Sequence, residues 1–135
     1  MEIRLEDNSD EVNKALEQAV EKSLEECDLL AEGYAKTLCQ VDTGLLRNSV
    51  THARSGASFQ HDYKADRGDA QGSVGGTIGS EDEKAMYIGT NVEYAPYVEM
   101  GTIKTAKHPF LQPAVEDHAD TYQAVFEKNL KEFLG

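Results

Sequence analysis

The chain has 135 residues, with 13 Lys and Arg against 25 Asp and Glu, for a formal net charge of −12. That length fits one domain, 1–135, able to bury a core without a metal or disulfide staple. The negative charge repels phosphate backbones and argues against a nucleic-acid binder, and no apolar run approaches the ~18 residues of a membrane span.

Residues 9–40 carry a helical stripe of Val12, Leu16, Ala19, Val20, Cys27, Leu30, Ala31, Tyr34 and Leu38, with an acidic opposite face. Asn8 is the expected cap, with Glu11 reaching back. Gly33 marks a kink or a close approach. Twelve helical residues separate Cys27 from Cys39 by about 18 Å, beyond the ~7 Å that a disulfide allows, so both read as free thiols. Residues 42–49 read as a turn and a short helical piece capped by Asp42, and residues 50–55 as a strand. From 57 to 83 the chain is polar, acidic and glycine-rich, and is expected to form a flexible arm or hairpin with a mobile tip; part of it, near 73–79, suits a strand. A second strand is expected at 85–90. A short helix or turn at 93–100 leads into Gly101 and a basic loop with Lys104, Lys107 and His108. The last helix is expected over 113–134, opened by Pro113. The fold class that follows is α+β: the two long helices packed on a small, mainly antiparallel sheet.

Asp42-Thr43-Gly44 is the triplet of aspartic proteases, which place two such Asp residues together to share a proton. Here it follows a long helical stretch rather than a strand, so the bland reading is a turn in which Gly44 supplies backbone freedom. The glycines at 72–79 lack the Gly-Lys-Ser/Thr of a phosphate loop. The four histidines and two cysteines lack the short spacing of a zinc site, and Glu81-Asp82-Glu83 lacks calcium-loop spacing. No cofactor or metal is therefore expected, and no Ser/His/Asp or Cys/His pairing supplies a catalytic residue. Tyr94, Tyr97, Met100, Phe110 and Leu111 form an aromatic-rich stretch that suits either a core or an interface.

Three blocks occur in order: Val41-Asp42-Thr43-Gly44-Leu45-Leu46-Arg47-Asn48-Ser49, then Ile88 through Thr102 (IGTNVEYAPYVEMGT), then His108-Pro109-Phe110-Leu111-Gln112-Pro113-Ala114. Together they resemble the tail-component family of long-tailed bacteriophages and prophages, over nearly the whole chain. The resemblance implies a non-enzymatic virion protein at the head–tail junction or head-proximal tail end, made in the host cytoplasm. It would act as a tail-completion, terminator or joining subunit. The implied partners are further copies of itself in a ring, with a hexamer as one expectation, and neighbouring neck, connector and tail-tube proteins. DNA would pass through without specific binding. The motif or interface residues singled out are Asp42, Gly44, Leu46, Tyr94, Tyr97, Glu99, Gly101 and Phe110 from the blocks, with Lys104 and Lys107 from the basic spot between them, which suits contact with an acidic neighbour. Two alternatives stay open: an aspartic protease subunit built on Asp42, and a prophage-derived module that binds one protein.

Overall fold

The computed structural model describes residues 9–104 and 106–134, which leaves the expected Asn8 cap outside the described residues. In chain order the elements are α1 (Ser9–Leu38), α2 (Leu45–Ser49), β1 (Thr51–Arg54), β2 (Ser58–Lys64), β3 (Gln71–Thr77), β4 (Met86–Gly89), α3 (Ala95–Met100), α4 (Leu111–Glu116) and α5 (Ala119–Leu134). The class is α+β. The strands expected at 50–55 and 85–90 form and pair antiparallel, from Thr51 opposite Gly89 to Arg54 opposite Met86.

Thirty residues make α1 about 45 Å long, and it runs through Gly33 without interruption. A Cβ at Gly33 would meet nothing within 4 Å, so the expected close approach there is absent. Four-residue strands give the β1–β4 ribbon a length of only about 13 Å. One long helix covers that ribbon, and this explains a departure from expectation: α5 lies mainly along α1, not beside it on the sheet. The two helices run antiparallel. Lys22 pairs with Glu132 at 3.3 Å near one end, and the Tyr34 and His118 rings stack at 3.5 Å near the other. Between them the fully buried Asn129 donates to Ser23 Oγ at 2.9 Å.

The terminal helix expected over 113–134 is two helices, with Pro113 in the third position of α4. The break falls at Asp117 and His118. There the His118–Tyr34 stack fixes one side, and Tyr122 Oη donates back to the Ala114 carbonyl.

The segment 57–83, expected as an arm or hairpin with a strand near 73–79, contains a hairpin: β2 and β3 pair antiparallel over seven positions, from Ser58↔Thr77 to Lys64↔Gln71. Phe59, His61 and Tyr63 alternate along its half-buried face. Glycine is needed opposite the tyrosine, because a Cβ at Gly72 would lie 2.6 Å from Tyr63 Oη. The cross-strand ring occupies the space that the missing side chain leaves.

One core joins these parts. Ala35 and Cys39 from the end of α1 meet Leu46, Val50, Val92, Ala95, Phe110 and Ala114. Phe110 is the largest fully buried side chain. Five of these eight residues (Leu46, Val92, Ala95, Phe110 and Ala114) belong to the three blocks singled out in the sequence.

Candidate functional site

The Asp-Thr-Gly turn is built differently from the expected cap. Gly44, not Asp42, is the N-cap of α2; it has φ 87° and itself offers no side-chain cap. A positive φ is the conformation that glycine adopts without steric cost, and a Cβ there would also approach Asp66 Oδ2 to 2.5 Å. Thr43 supplies the side-chain bond, its Oγ1 accepting from Leu45 N–H at 3.3 Å. The Asp42 side chain is 97 % exposed, and a carboxylate oxygen lies 3.5 Å from the Arg67 guanidinium.

The same turn clamps the β2–β3 ribbon. The Thr43 carbonyl accepts from Asp66 N–H at 2.7 Å and from Arg67 N–H at 3.0 Å. The Asp66 carboxylate accepts from Arg47 and, at 3.0 Å, from Asn48 Nδ2. Asn48 Nδ2 also donates to the Lys64 carbonyl at 2.8 Å, and the Asn48 carbonyl lies 2.8 Å from His61 Nε2. The turn of the hairpin is thus bonded to the first block at residues 64–67.

The second and third blocks are joined by Glu99. Its carboxylate accepts from the backbone N–H groups of Phe110, Leu111 and Gln112, at 3.0, 2.9 and 3.2 Å. These are the donors left free at the start of a helix. Pro113 has none, so one side chain satisfies the whole first turn of α4. His108 N–H donates to the Val98 carbonyl at 2.8 Å and folds the basic loop back on α3. Ser49 and Thr90 hydroxyls pair across the first and second blocks.

An open groove of about 780 Å³ lies where the first two blocks meet, lined by residues 40–46 together with Tyr94 and Val98. Tyr94, in its lining, is 44 % exposed; Tyr97, Met100 and Ile103 lie outside the lining and are more exposed still. Gly101 ends α3 at φ 77°. Lys104 and Lys107 are exposed, and neither forms an ion pair among the described residues. Phe110, entertained in the sequence as an interface anchor, is fully buried in the chain's own core. Leu46 is likewise a core residue. The aromatic stretch therefore divides into one core ring and an exposed ledge.

Sequence reasoning missed a second polar assembly. The acids of α1 at positions 21, 28 and 32 reach basic side chains on the sheet side, with Asp28 buried, Glu32 largely covered and Glu21 half exposed. His52 lies 3.5 Å from Asp28 and 3.1 Å from Glu32. Arg54 grips Glu21 through two nitrogens, and Lys84 approaches it at 3.4 Å. That bond holds the Glu21 carboxyl below its usual range. The Asp28 side chain is 1 % exposed, and its Oδ1 has no partner. Burial pushes its pKa from 3.8 up to about 6, against the pull of His52. The available signal was the 21, 25, 28, 32 spacing, which forms one helical row, opposite basic residues two apart on a strand.

Burial also raises the Cys27 and Cys39 thiols, which keeps both protonated and unreactive near neutral pH. Among the described residues no group of three His, Cys, Asp or Glu side chains is placed to hold a metal ion, and no helix is long and apolar enough to cross a membrane. No protein-family model, curated protein or solved structure matches the chain.

Proposed function

We propose that this chain is a structural subunit of a phage tail, acting at its head-proximal end as a completion, terminator or joining protein that works as a ring. The observation that carries the reading is the physical union of the three blocks. Residues separated by tens of positions share one core, and Glu99 of the second block caps the helix opened by the third. Such an arrangement gives each block a reason to keep its residue types together, as expected of a family signature rather than of three chance matches. The exposed ledge at Tyr97, Met100 and Ile103 adds an unpartnered apolar surface of the kind that marks an interaction site.

The test is genetic and visual. Loss of the gene from its phage or prophage is expected to give filled heads and separate tails under the electron microscope, with joining restored by the supplied protein. Joined, infectious particles formed without it would overturn the proposal. So would a peptidase activity abolished by Asp42→Asn.

A further inference from the structure

Asp28 stands where two rows of α1 cross. Leu24, Cys27, Asp28 and Ala31 follow an i, i+3, i+4, i+7 spacing and meet side chains of β4, α4 and α5, while Glu21, Glu25, Asp28 and Glu32 form the adjoining polar row. A cavity belongs to each row. A polar groove of about 480 Å³ includes Glu25, His52, Arg54 and Phe59 in its walls. An apolar cavity of about 180 Å³ is lined by Leu24, Cys27, Ala31, Ile88, Val115 and Tyr122. Asp28 and Met86 line both.

The other polar groups of the apolar cavity are already engaged. The Cys27 thiol donates to the Tyr122 carbonyl at 3.9 Å, and Tyr122 Oη donates to the Ala114 carbonyl. Asp28 differs. Its side chain is 1 % exposed, and His52, which lines the polar groove and not the apolar cavity, approaches Oδ2 at 3.5 Å. Oδ1 has no partner. A carboxylate oxygen at that depth is costly until a donor reaches it.

We infer that the apolar cavity is a binding site for a small organic cation, an ammonium on a compact apolar body, with the ammonium donating to Asp28 Oδ1 and the body packed among Leu24, Ala31, Ile88 and Val115. A cavity of about 150 Å³ takes one benzene ring, which sets the body at about six heavy atoms. Among the described residues no group of three His, Cys, Asp or Glu side chains could hold a metal ion, and the walls are mostly apolar, so the cation is organic. Val115, 48 % exposed, marks the open rim. The site does not depend on the tail reading above.

The charge on Asp28 governs the affinity. Its carboxyl faces Glu25 and Glu32 from its own helix, His52 from β1 and the Leu29 N–H, with Cys27 and Tyr122 on the cavity side. The nearby Arg54 is held by Glu21, and Lys22 by Glu132. Burial sets its pKa at about 6. Only the ionised form attracts an ammonium, so binding strengthens as pH rises through that value.

Amide resonances of the labelled full chain are followed during titration with benzylamine at about 0.15 M salt, where exposed charges are screened. At about pH 8, saturable shifts are expected around residues 24–31, 86–88 and 115–122. Benzyl alcohol, similar in shape and uncharged, should bind about tenfold more weakly there. At about pH 5 roughly nine in ten Asp28 carboxyls are protonated, so benzylamine should lose about tenfold in affinity while the alcohol is unchanged. Asp28→Asn should abolish the pH dependence and keep the native spectrum away from the cavity. Val115→Phe, at the exposed rim, should block both probes. The two contrasts in the unaltered chain, amine against alcohol and high pH against low, need no substitution and test the site by themselves. Shifts that fail to saturate or spread over the acidic surface would overturn the inference. So would equal affinity for the two probes at about pH 8, a pH dependence retained by Asp28→Asn, or benzylamine binding retained by Val115→Phe.

Discussion

Glu99 holds the start of α4 with a single carboxylate that accepts three backbone N–H groups. Glu99→Ala leaves those donors in a partly buried place with no acceptor. A charge-assisted bond lost in such a setting costs about 2 kcal/mol, and Glu99→Gln, which keeps one oxygen, should lose less. Urea midpoints at unchanged slope would register both. Asp28 works in the opposite direction. Its carboxyl is buried beneath His52, between the neighbouring charges of Glu25 and Glu32, and its pKa stands at about 6 rather than 3.8. Between these values the folded chain keeps a proton that the unfolded chain releases, so stability falls as pH rises through that window. Asp28→Asn removes this dependence. The stability of the wild-type chain relative to the variant should fall by about 2 kcal/mol between about pH 4 and pH 7. Thermal melts of the two proteins across that range would check it, and parallel curves would contradict it.

At the scale of elements, the β2–β3 ribbon depends on a neighbour. Two-stranded ribbons are marginal alone, and this one is fastened at its turn by Arg47, Asn48 and the Thr43 carbonyl. Asp66→Ala should free the ribbon without disturbing the helices. Amide exchange over 58–77 should speed up several-fold, while α1 and α5 keep their protection. Uniform change across the chain would mean that the ribbon is not a separate unit. The same ribbon is legible only in part: the sequence suggests a hairpin with a strand near 73–79, but not the strand at 58–64. The long helix and both β1–β4 strands are legible because hydrophobic period and length identify them. In 58–77 the glycines and charges mask a period-two pattern, since Phe59, His61 and Tyr63 face inward opposite Gly76, Val74 and Gly72. Single-strand periodicity cannot show that a glycine makes room for a ring on another strand. The break between α4 and α5 is hidden for a similar reason, because Tyr34 stacks on His118 from far away in sequence. The Asp42 cap failed at a finer level: Thr43 and Gly44 supply what an Asp would have supplied.

For the whole molecule, the net charge of −12 is unevenly spent. Glu21, Asp28 and Glu32 are engaged with basic side chains of the sheet side, while Asp10, Glu11 and Glu17 at the start of α1 are exposed and the 104–107 loop carries the exposed Lys104 and Lys107. The positions of the candidate surface were legible as sequence blocks, but their division into core and ledge was not. Burial decides between Phe110 and Tyr97, and burial depends on the three blocks meeting. That meeting also sets an order on synthesis. The core site opened by Ala35, Leu46, Val50, Val92 and Ala95 is filled only when Phe110 arrives, and Glu99 has no helix to hold until the residues after it emerge. Contacts of such long sequence separation form late. A nascent chain extended only to Gly101 would carry both ribbons and α1 around an open apolar socket, a species that chaperones bind and that aggregates when left alone. Phe110 is thus the residue that closes this socket, while the face of α1 around Ser23 stays open until α5 follows and packs along it.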